Sequence, residues 1–229
     1  MNGGAWSLTQ NIFMIAGGLG MFLFGLKILS DGLEQIAGNR MRYILERATT
    51  NRFVGVTVGA LLTAVIQSST AATVMIVGFI NAGLMNLTQA ISLIMGSKIG
   101  TTLTAHIVAL RIDTFAPLFI LIGFLAYVFS KREVVKNAGY ILLSIGILFF
   151  GLAIMGGPLR EFSHDPSFQS ILTTFQNPIL ALLAGFIFTA IIQSSTASTA
   201  ILITMYIQGV NLPFTTAAFI VLESTLGPQ

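Results

Sequence analysis

Charged side chains are scarce in this sequence of 229 residues: Asp, Glu, Lys and Arg make up 8% of it, and hydrophobic residues make up 55%. Soluble domains carry roughly 25% charged residues, so a soluble fold of this size could not cover its surface with so few. The outside of the fold must therefore face lipid. We predict an all-α, polytopic protein of the cell (inner) membrane.

Cysteine is absent, which excludes disulfides, thiolate nucleophiles and Cys-ligated metal sites. The net charge is +3, but the basic residues are too scattered among apolar runs to follow a nucleic-acid backbone. Residues 1–11 have neither the basic segment nor the small-residue cleavage site of a signal peptide. We therefore expect no nucleic-acid partner, and a first apolar run that is retained as a membrane helix.

Three apolar segments have the length of about 18 residues needed to cross the hydrocarbon region. They are residues 12–29, 112–129 and 138–155. A fourth segment, residues 90–110, is long enough but contains the sequence Gly-Ser-Lys-Ile-Gly-Thr-Thr at 96–102. We predict that this segment is a broken helix, unwound or kinked at membrane depth.

Shorter apolar stretches at 53–66, 178–192 and 197–206 are better suited to half-length helices. They flank two Gln-Ser-Ser-Thr tetrads, at 67–70 and 193–196. The pattern predicts two re-entrant helical hairpins with a tetrad at each tip. The polar stretches 31–52 and 158–177 are predicted to be amphipathic helices at the membrane interface.

An internal repeat relates the two halves at an offset of 126 residues. Residues 66–71 match 192–197, residues 24–26 match 150–152, and Gly83 matches Gly209. We predict a first repeat at 1–110, with its hairpin at 53–84 and its broken helix at 88–110. A connecting transmembrane helix and a basic cytoplasmic loop follow at 111–137. The second repeat, at 138–229, has its hairpin at 177–210 and ends within its broken helix.

Three predicted crossings separate the two hairpins, and an odd number places the copies in opposite orientations. Such inverted repeats are typical of secondary transporters. The positive-inside rule makes the side that carries most basic residues the cytoplasm, which puts the N-terminus outside. The basic residues on that side are Arg40, Arg42, Arg47, Arg52, Lys131, Arg132 and Lys136.

The tetrads have the chemistry of an anion site. Their hydroxyls can cap the following half-helix, whose N-terminus offers N–H groups and a partial positive charge. We predict that a small anion binds between the two tips. The predicted anion-binding residues are Gln67, Ser68, Ser69, Thr70, Gln193, Ser194, Ser195 and Thr196.

A neutral cage leaves the charge of a multivalent anion uncompensated in a low-dielectric interior, so a cation must accompany it. Sodium suits hydroxyl, amide and carbonyl oxygens. The candidate sodium ligands are Gln67, Thr73, Ser97, Thr101, Thr102, Gln193, Thr199 and Ser224.

The duplicated Gln-Ser-Ser tetrads, each followed by a segment of the Gly-x-Asn-Ile-Gly-Thr-Thr type, resemble the type II sodium/phosphate cotransporter family over essentially the whole chain. The resemblance implies sodium-coupled uptake of inorganic phosphate by alternating access, with phosphate and sodium ions held by the tetrads and the broken helices. It also implies a homodimer embedded in the lipid bilayer, here a bacterial-type member without the PhoU-like tail.

The sequence departs from the family pattern at several positions. Thr70 and Thr196 replace a third serine, Lys98 replaces the asparagine, and the second copy contains Glu223 and Ser224 in this region. Lys98 and Glu223 occupy equivalent broken helices, which suggests an intramembrane ion pair whose ammonium replaces one sodium.

Other functions remain open from the residues. Paired re-entrant segments also form pores, so an anion channel is one alternative, and a sodium-coupled carrier of another small oxyanion is a second. An enzyme is not expected, because the sequence has no Gly-x-Ser-x-Gly motif and neither tetrad shares its segment with a histidine or a carboxylate.

Overall fold

The structure is a computed structural model that describes residues 3–47, 51–109, 112–165, 178–192, 194–210 and 217–218. Within these ranges the chain is helical and has no strand, which confirms the all-α prediction there. The helices are α1 (Gly3–Arg47), α2 (Arg52–Ile66), α3 (Ser69–Asn81), α4 (Leu87–Ala109), α5 (Ala116–Phe129), α6 (Glu133–Ser163), α7 (Pro178–Ile192) and α8 (Ser195–Ile207), with a 3-10 turn, Ile112–Phe115, before α5.

Three described segments are long and apolar enough to cross a membrane. They are Leu8–Ile36 within α1, Ile112–Phe129, and Glu133–Ser163, which is α6. Each contains one predicted span, so the three spans are confirmed by helix length and composition. Large apolar side chains such as Phe13 and Phe129 are more than two-thirds exposed, as expected of surfaces that face lipid.

The predicted interfacial helix at 31–52 is wrong for residues 31–47, because α1 continues through them without a break to Arg47. No proline lies in this stretch to interrupt the hydrogen bonding. In the second copy α6 likewise continues through Pro158 to Ser163, so no separate interfacial helix begins at 158. Residues 166–177 lie outside the described residues.

The predicted break in the fourth apolar segment is also wrong, since α4 is α-helical throughout Leu87–Ala109. Its glycines have a different role. A Cβ atom on Gly96 would overlap the carbonyl oxygen of Val56, and one on Gly100 would overlap that of Ala60. The glycines therefore let the backbones of α2 and α4 touch, as small residues do between membrane helices.

The described residues fall into two compact units, and one of them comprises Leu26–Ile107 and Phe119–Ile145. It contains α2, α3 and α4, whose buried core includes Leu62, Ile76 and Leu93. Helix α4 begins with a capping box: the Asn86 side chain accepts a hydrogen bond from the Gln89 N–H, at 3.0 Å, and the Gln89 side chain accepts one from the Asn86 N–H, at 2.8 Å. This unit holds the first hairpin.

The other unit comprises Met1–Gly25, Val108–Leu118 and Gly146–Gln229, and it holds the second hairpin. Here the first part of α1 packs closely on the later part of α6. A Cβ atom on Gly25 would lie 2.8 Å from the Leu148 Cα, and one on Gly151 would lie 2.6 Å from the Phe22 nitrogen. Leu148 and Gly151 stand 126 residues after Phe22 and Gly25 and are therefore their repeat counterparts. Each contact is thus the repeat counterpart of the other.

Candidate anion site at the hairpin tips

The two hairpins have the same local architecture. Helices α2 and α7 each have 15 residues, and α3 and α8 each have 13. Each second-copy helix begins and ends 126 residues after its counterpart. The second arms also end alike, at Gly83 (φ +70°) and Gly209 (φ +86°), where glycine adopts the left-handed conformation without steric cost. The structure thus places the first tetrad, and residues 194–196 of the second, at a junction between two half-length helices.

A serine caps the second helix of each hairpin. Ser68 and Ser194 have extended backbones, and each Oγ accepts a hydrogen bond from the backbone N–H three residues later, at 3.2 Å in both copies. Serine is a preferred N-cap because it satisfies an N–H group that the helix leaves without a partner. The second residue of each Gln-Ser-Ser-Thr tetrad therefore fixes where the helix starts.

Gln67 closes the first helix of the first hairpin. It adopts a left-handed conformation at φ 57°, where its backbone N–H donates to the Thr63 carbonyl and its side-chain amide donates to the Ala64 carbonyl. In the described part of the chain it is the one non-glycine residue with a positive φ. A non-glycine residue there costs about 1–2 kcal/mol, so the tip is locally strained. Its counterpart, Gln193, lies outside the described residues.

The first turn of α8 presents open hydrogen-bond donors. Within the described ranges, the backbone N–H groups of Ser195 and Thr196 have no hydrogen-bond acceptor, and both residues are half-buried. In the first hairpin Ser69 is buried, at 5% exposure, whereas Thr70 is exposed. Each N-terminus also carries the positive end of its helix dipole. These are the features of a helix terminus that can receive an anion.

The described hydroxyls among the sodium candidates share one arrangement. Each donates its proton to a backbone carbonyl three or four residues earlier in its own helix, over 2.7–2.9 Å, which leaves only oxygen lone pairs for another ligand. Ser97 is fully buried and Thr102 is exposed. These hydroxyls belong to Thr73, Ser97, Thr101, Thr102 and Thr199.

Three of the sequence-predicted site residues, Gln193, Glu223 and Ser224, lie outside the described residues. Lys98 is half-buried on α4. The ion pair between Lys98 and Glu223 stays a prediction.

Sequence reasoning missed Thr63 and Ser30. The Ser30 hydroxyl on α1 donates to the carbonyl of Ile66, the last residue of α2, which ties the first tip to α1. Its repeat counterpart is Gly156, so the repeat gave no signal for it. Thr63 and Thr189 did match in the repeat, but what they contact depends on the facing helix.

The two threonines differ in their partners. The Thr189 hydroxyl lies 3.3 Å from the Ser198 hydroxyl and donates to it. Thr63 is fully buried, and its hydroxyl has no hydrogen-bond partner among the residues that the structure describes, because Ala72 stands where the second copy has Ser198. The first hairpin therefore carries an unsatisfied polar group that the second hairpin satisfies.

Replacing Ala72 with serine should stabilise the protein. The new hydroxyl would give Thr63 the partner that Thr189 already has, and such a bond between membrane helices is worth about 0.6 kcal/mol on average. We expect Ala72→Ser to raise the thermal unfolding midpoint of the purified protein and Ser198→Ala to lower it. A lower midpoint for Ala72→Ser would show that the site has no room for the added oxygen.

Comparison with known proteins gives consistent matches over both hairpins. The sequence profile described as Na+/Pi-cotransporter matches residues 21–157 and 159–228. The uncharacterized protein YqeW of Bacillus subtilis (strain 168) is 30% identical over 209 residues, which are 90% of this chain and 67% of YqeW. No solved structure matches the chain significantly.

Two further relatives have names that refer to phosphate. YjbB of Salmonella typhimurium, provisionally named an inorganic phosphate export protein, is 26% identical over 208 residues, or 90% of this chain and 38% of YjbB. Sodium-dependent phosphate transport protein 2A of Rattus norvegicus is 37% identical over 100 residues, or 42% of this chain and 16% of that protein. This chain thus spans well under half the length of both. Since the profile covers most of the sequence, including both tetrads and α4, the chain belongs to the Na+/Pi-cotransporter family.

Proposed function

We propose that this protein carries inorganic phosphate across the cell membrane together with sodium, by alternating access, and that the hairpin tips bind the anion. The observation that carries the proposal is the duplicated tip, in which a serine cap starts a half-length helix in each copy. Family membership and the names of two relatives support phosphate as the substrate.

Neutral groups would bind phosphate at these tips. In the proposed site, Gln67, Ser68, Ser69 and Thr70, together with their second-copy counterparts, supply hydroxyls, amides and first-turn N–H groups. A hydrogen bond to a charged group contributes about 1.5–3 kcal/mol, so a few such donors suffice for binding without a basic side chain. The strained backbone of Gln67 supports a functional tip, because strain of this kind clusters at ligand sites.

Sodium has two roles in the proposal. It offsets the anion charge in the low-dielectric interior, and it drives uptake against an inside-negative potential, which opposes each net negative charge by about 2.3 kcal/mol per 100 mV. Lone pairs on the described hydroxyls, such as those of Thr73 and Thr199, are the groups that would coordinate it. We propose uptake as the direction because sodium ordinarily flows into the cell; the relative YjbB carries the word export in its name.

The contact between α1 and α6 supports an inverted repeat. Gly25 packs on Leu148, and Gly151 packs on Phe22. Gly151 is the repeat counterpart of Gly25 and Leu148 is that of Phe22, so the same pair of positions is in contact twice. The residue numbers at these contacts rise along α1 as they fall along α6, so the two helices run antiparallel, and a twofold axis that exchanges them lies across their length. An inverted repeat is the arrangement from which alternating access commonly arises.

The test is transport by the purified protein reconstituted in liposomes. We expect saturable uptake of radiolabelled phosphate when sodium is high outside, and at least tenfold less when choline replaces sodium. Sulfate in excess should compete weakly, because the proposed substrate is phosphate.

Empty liposomes and the Ser69→Ala, Ser195→Ala double variant serve as controls for leakage. Equal uptake in sodium and choline would refute sodium coupling. Large passive currents that do not saturate with phosphate would instead identify a channel.

A further inference from the structure

A small cavity lies in the unit that holds the second hairpin, and no tetrad residue is part of its described lining. Its volume is about 20 Å³, and its polar lining comes from Asp113, Thr204 and Gln208. The remaining lining is apolar, from Val108, Phe149, Leu152 and Ile207. Asp113 is in the 3-10 turn before α5, while Thr204 and Gln208 belong to the last turn and the C-cap of α8.

The three polar groups can all offer oxygen atoms to a ligand. Thr204 is buried, and its hydroxyl proton is donated to the Ala200 carbonyl at 2.8 Å, so its lone pairs remain. The side chains of Asp113 and Gln208 have no hydrogen-bond or ionic partner within the part of the chain that the structure describes. A half-buried carboxylate beside apolar walls is left without a countercharge there, which is costly at the edge of a membrane segment.

The backbone makes room for one of these groups. A Cβ atom on Gly156 of α6 would lie 2.6 Å from the Gln208 amide nitrogen and 3.2 Å from its Cδ. Gly156 therefore allows the Gln208 side chain to lie against α6 beside the cavity. The first copy has Ser30 and Ala82 at the equivalent positions, so this arrangement belongs to the second copy alone.

Size and charge select the ligand. A cavity of about 10–15 Å³ holds one water, so this one admits a single dehydrated ion but not phosphate, which has five heavy atoms. The donors are hard oxygens with one negative charge between them, whereas divalent ions usually recruit several carboxylates. We propose that the cavity binds one monovalent alkali cation through the Asp113 carboxylate, the Gln208 amide oxygen and the Thr204 hydroxyl oxygen.

The experiment counts sodium ions bound by the intact purified protein, without phosphate and at constant ionic strength in choline. Equilibrium binding of radioactive sodium should show one ion fewer per chain for Asp113→Asn than for the wild type. The matched variant Asp165→Asn, which removes an exposed carboxylate outside the cavity, should bind the wild-type number.

A second variant keeps the carboxylate and moves only the amide. Gly156→Ala should push the Gln208 side chain aside and lower the affinity for the same sodium ion about tenfold. This variant tests the site even if Asp113→Asn does not fold. An unchanged number of bound sodium ions in Asp113→Asn, or an unchanged sodium affinity in Gly156→Ala, would overturn the proposal. The cavity would then be a site for water.

The site does not depend on the proposed transport activity. If the wild type binds no phosphate while Asp113→Asn still loses one sodium, the transport proposal fails and this site stands. If phosphate binding requires sodium but Asp113→Asn retains every sodium ion, the site fails and the transport proposal stands.

Discussion

The double variant Ser69→Ala, Ser195→Ala is expected to lose phosphate binding by about 100-fold or more. Each hydroxyl belongs to the first residue of a helix that follows a serine cap, where an anion would also meet the positive end of the helix dipole. Two lost hydrogen bonds to a charged ligand, at about 1.5–3 kcal/mol each, give this magnitude. Equilibrium binding of radiolabelled phosphate in saturating sodium measures it.

The caps themselves are less suitable for this test. Replacing Ser68 or Ser194 would remove a helix cap and destabilise the hairpin by about 1 kcal/mol. A loss of phosphate binding in such a variant could then result from unfolding rather than from a lost contact. A matched control is Ser144→Ala, which removes a buried hydroxyl that donates to the Ile141 carbonyl on α6. Wild-type affinity in the double variant would refute the tips as the anion site, whereas a loss in Ser144→Ala would show that the assay reports folding.

Substituting Gly96 with valine should have the largest effect on stability. A Cβ atom on Gly96 would overlap the Val56 carbonyl oxygen and lie 2.9 Å from the Ala60 nitrogen, and backbone atoms of α2 cannot move aside as a flexible side chain can. Overpacking of this kind costs about 3 kcal/mol. We expect a sharply lower yield of monodisperse protein and a lower thermal midpoint.

Gly78 provides the control for this substitution. It lies on α3 and nothing would come within 4 Å of an added Cβ atom. Gly78→Ala should therefore be neutral or raise stability by about 0.5–1 kcal/mol, as expected for alanine in a helix. If Gly96→Val were as stable as Gly78→Ala, the close approach of α2 and α4 would be wrong.

Much of the helical framework followed from the sequence because hydropathy and length decide it. The span at 112–129 coincides with the apolar segment in the structure, and α7 has the predicted bounds Pro178–Ile192. The tetrads also fell at the ends of half-length helices, since Ser68 and Ser194 cap helices by local chemistry alone. Features that depend on a few neighbouring residues were therefore predictable.

Features that depend on a distant helix were not predictable. Glycines at 96 and 100 fit either a break in α4 or close packing, and only the position of α2 decides between them. The unpaired hydroxyl of Thr63 similarly depends on Ala72, nine residues away on the facing helix. Helix α1 extends to Arg47, because a polar stretch can continue a spanning helix. Composition alone cannot distinguish such an extension from a separate interfacial helix.

The backbone contact between α2 and α4 limits how the first hairpin can move. A Cβ atom on Gly96 or Gly100 would overlap a carbonyl oxygen of Val56 or Ala60, so the backbones of α2 and α4 lie close together at these positions. We therefore expect α2 and α4 to move together when the first hairpin moves. A hinge between Val56 and Ala60 would have to break this contact, so we expect the first hairpin to bend elsewhere.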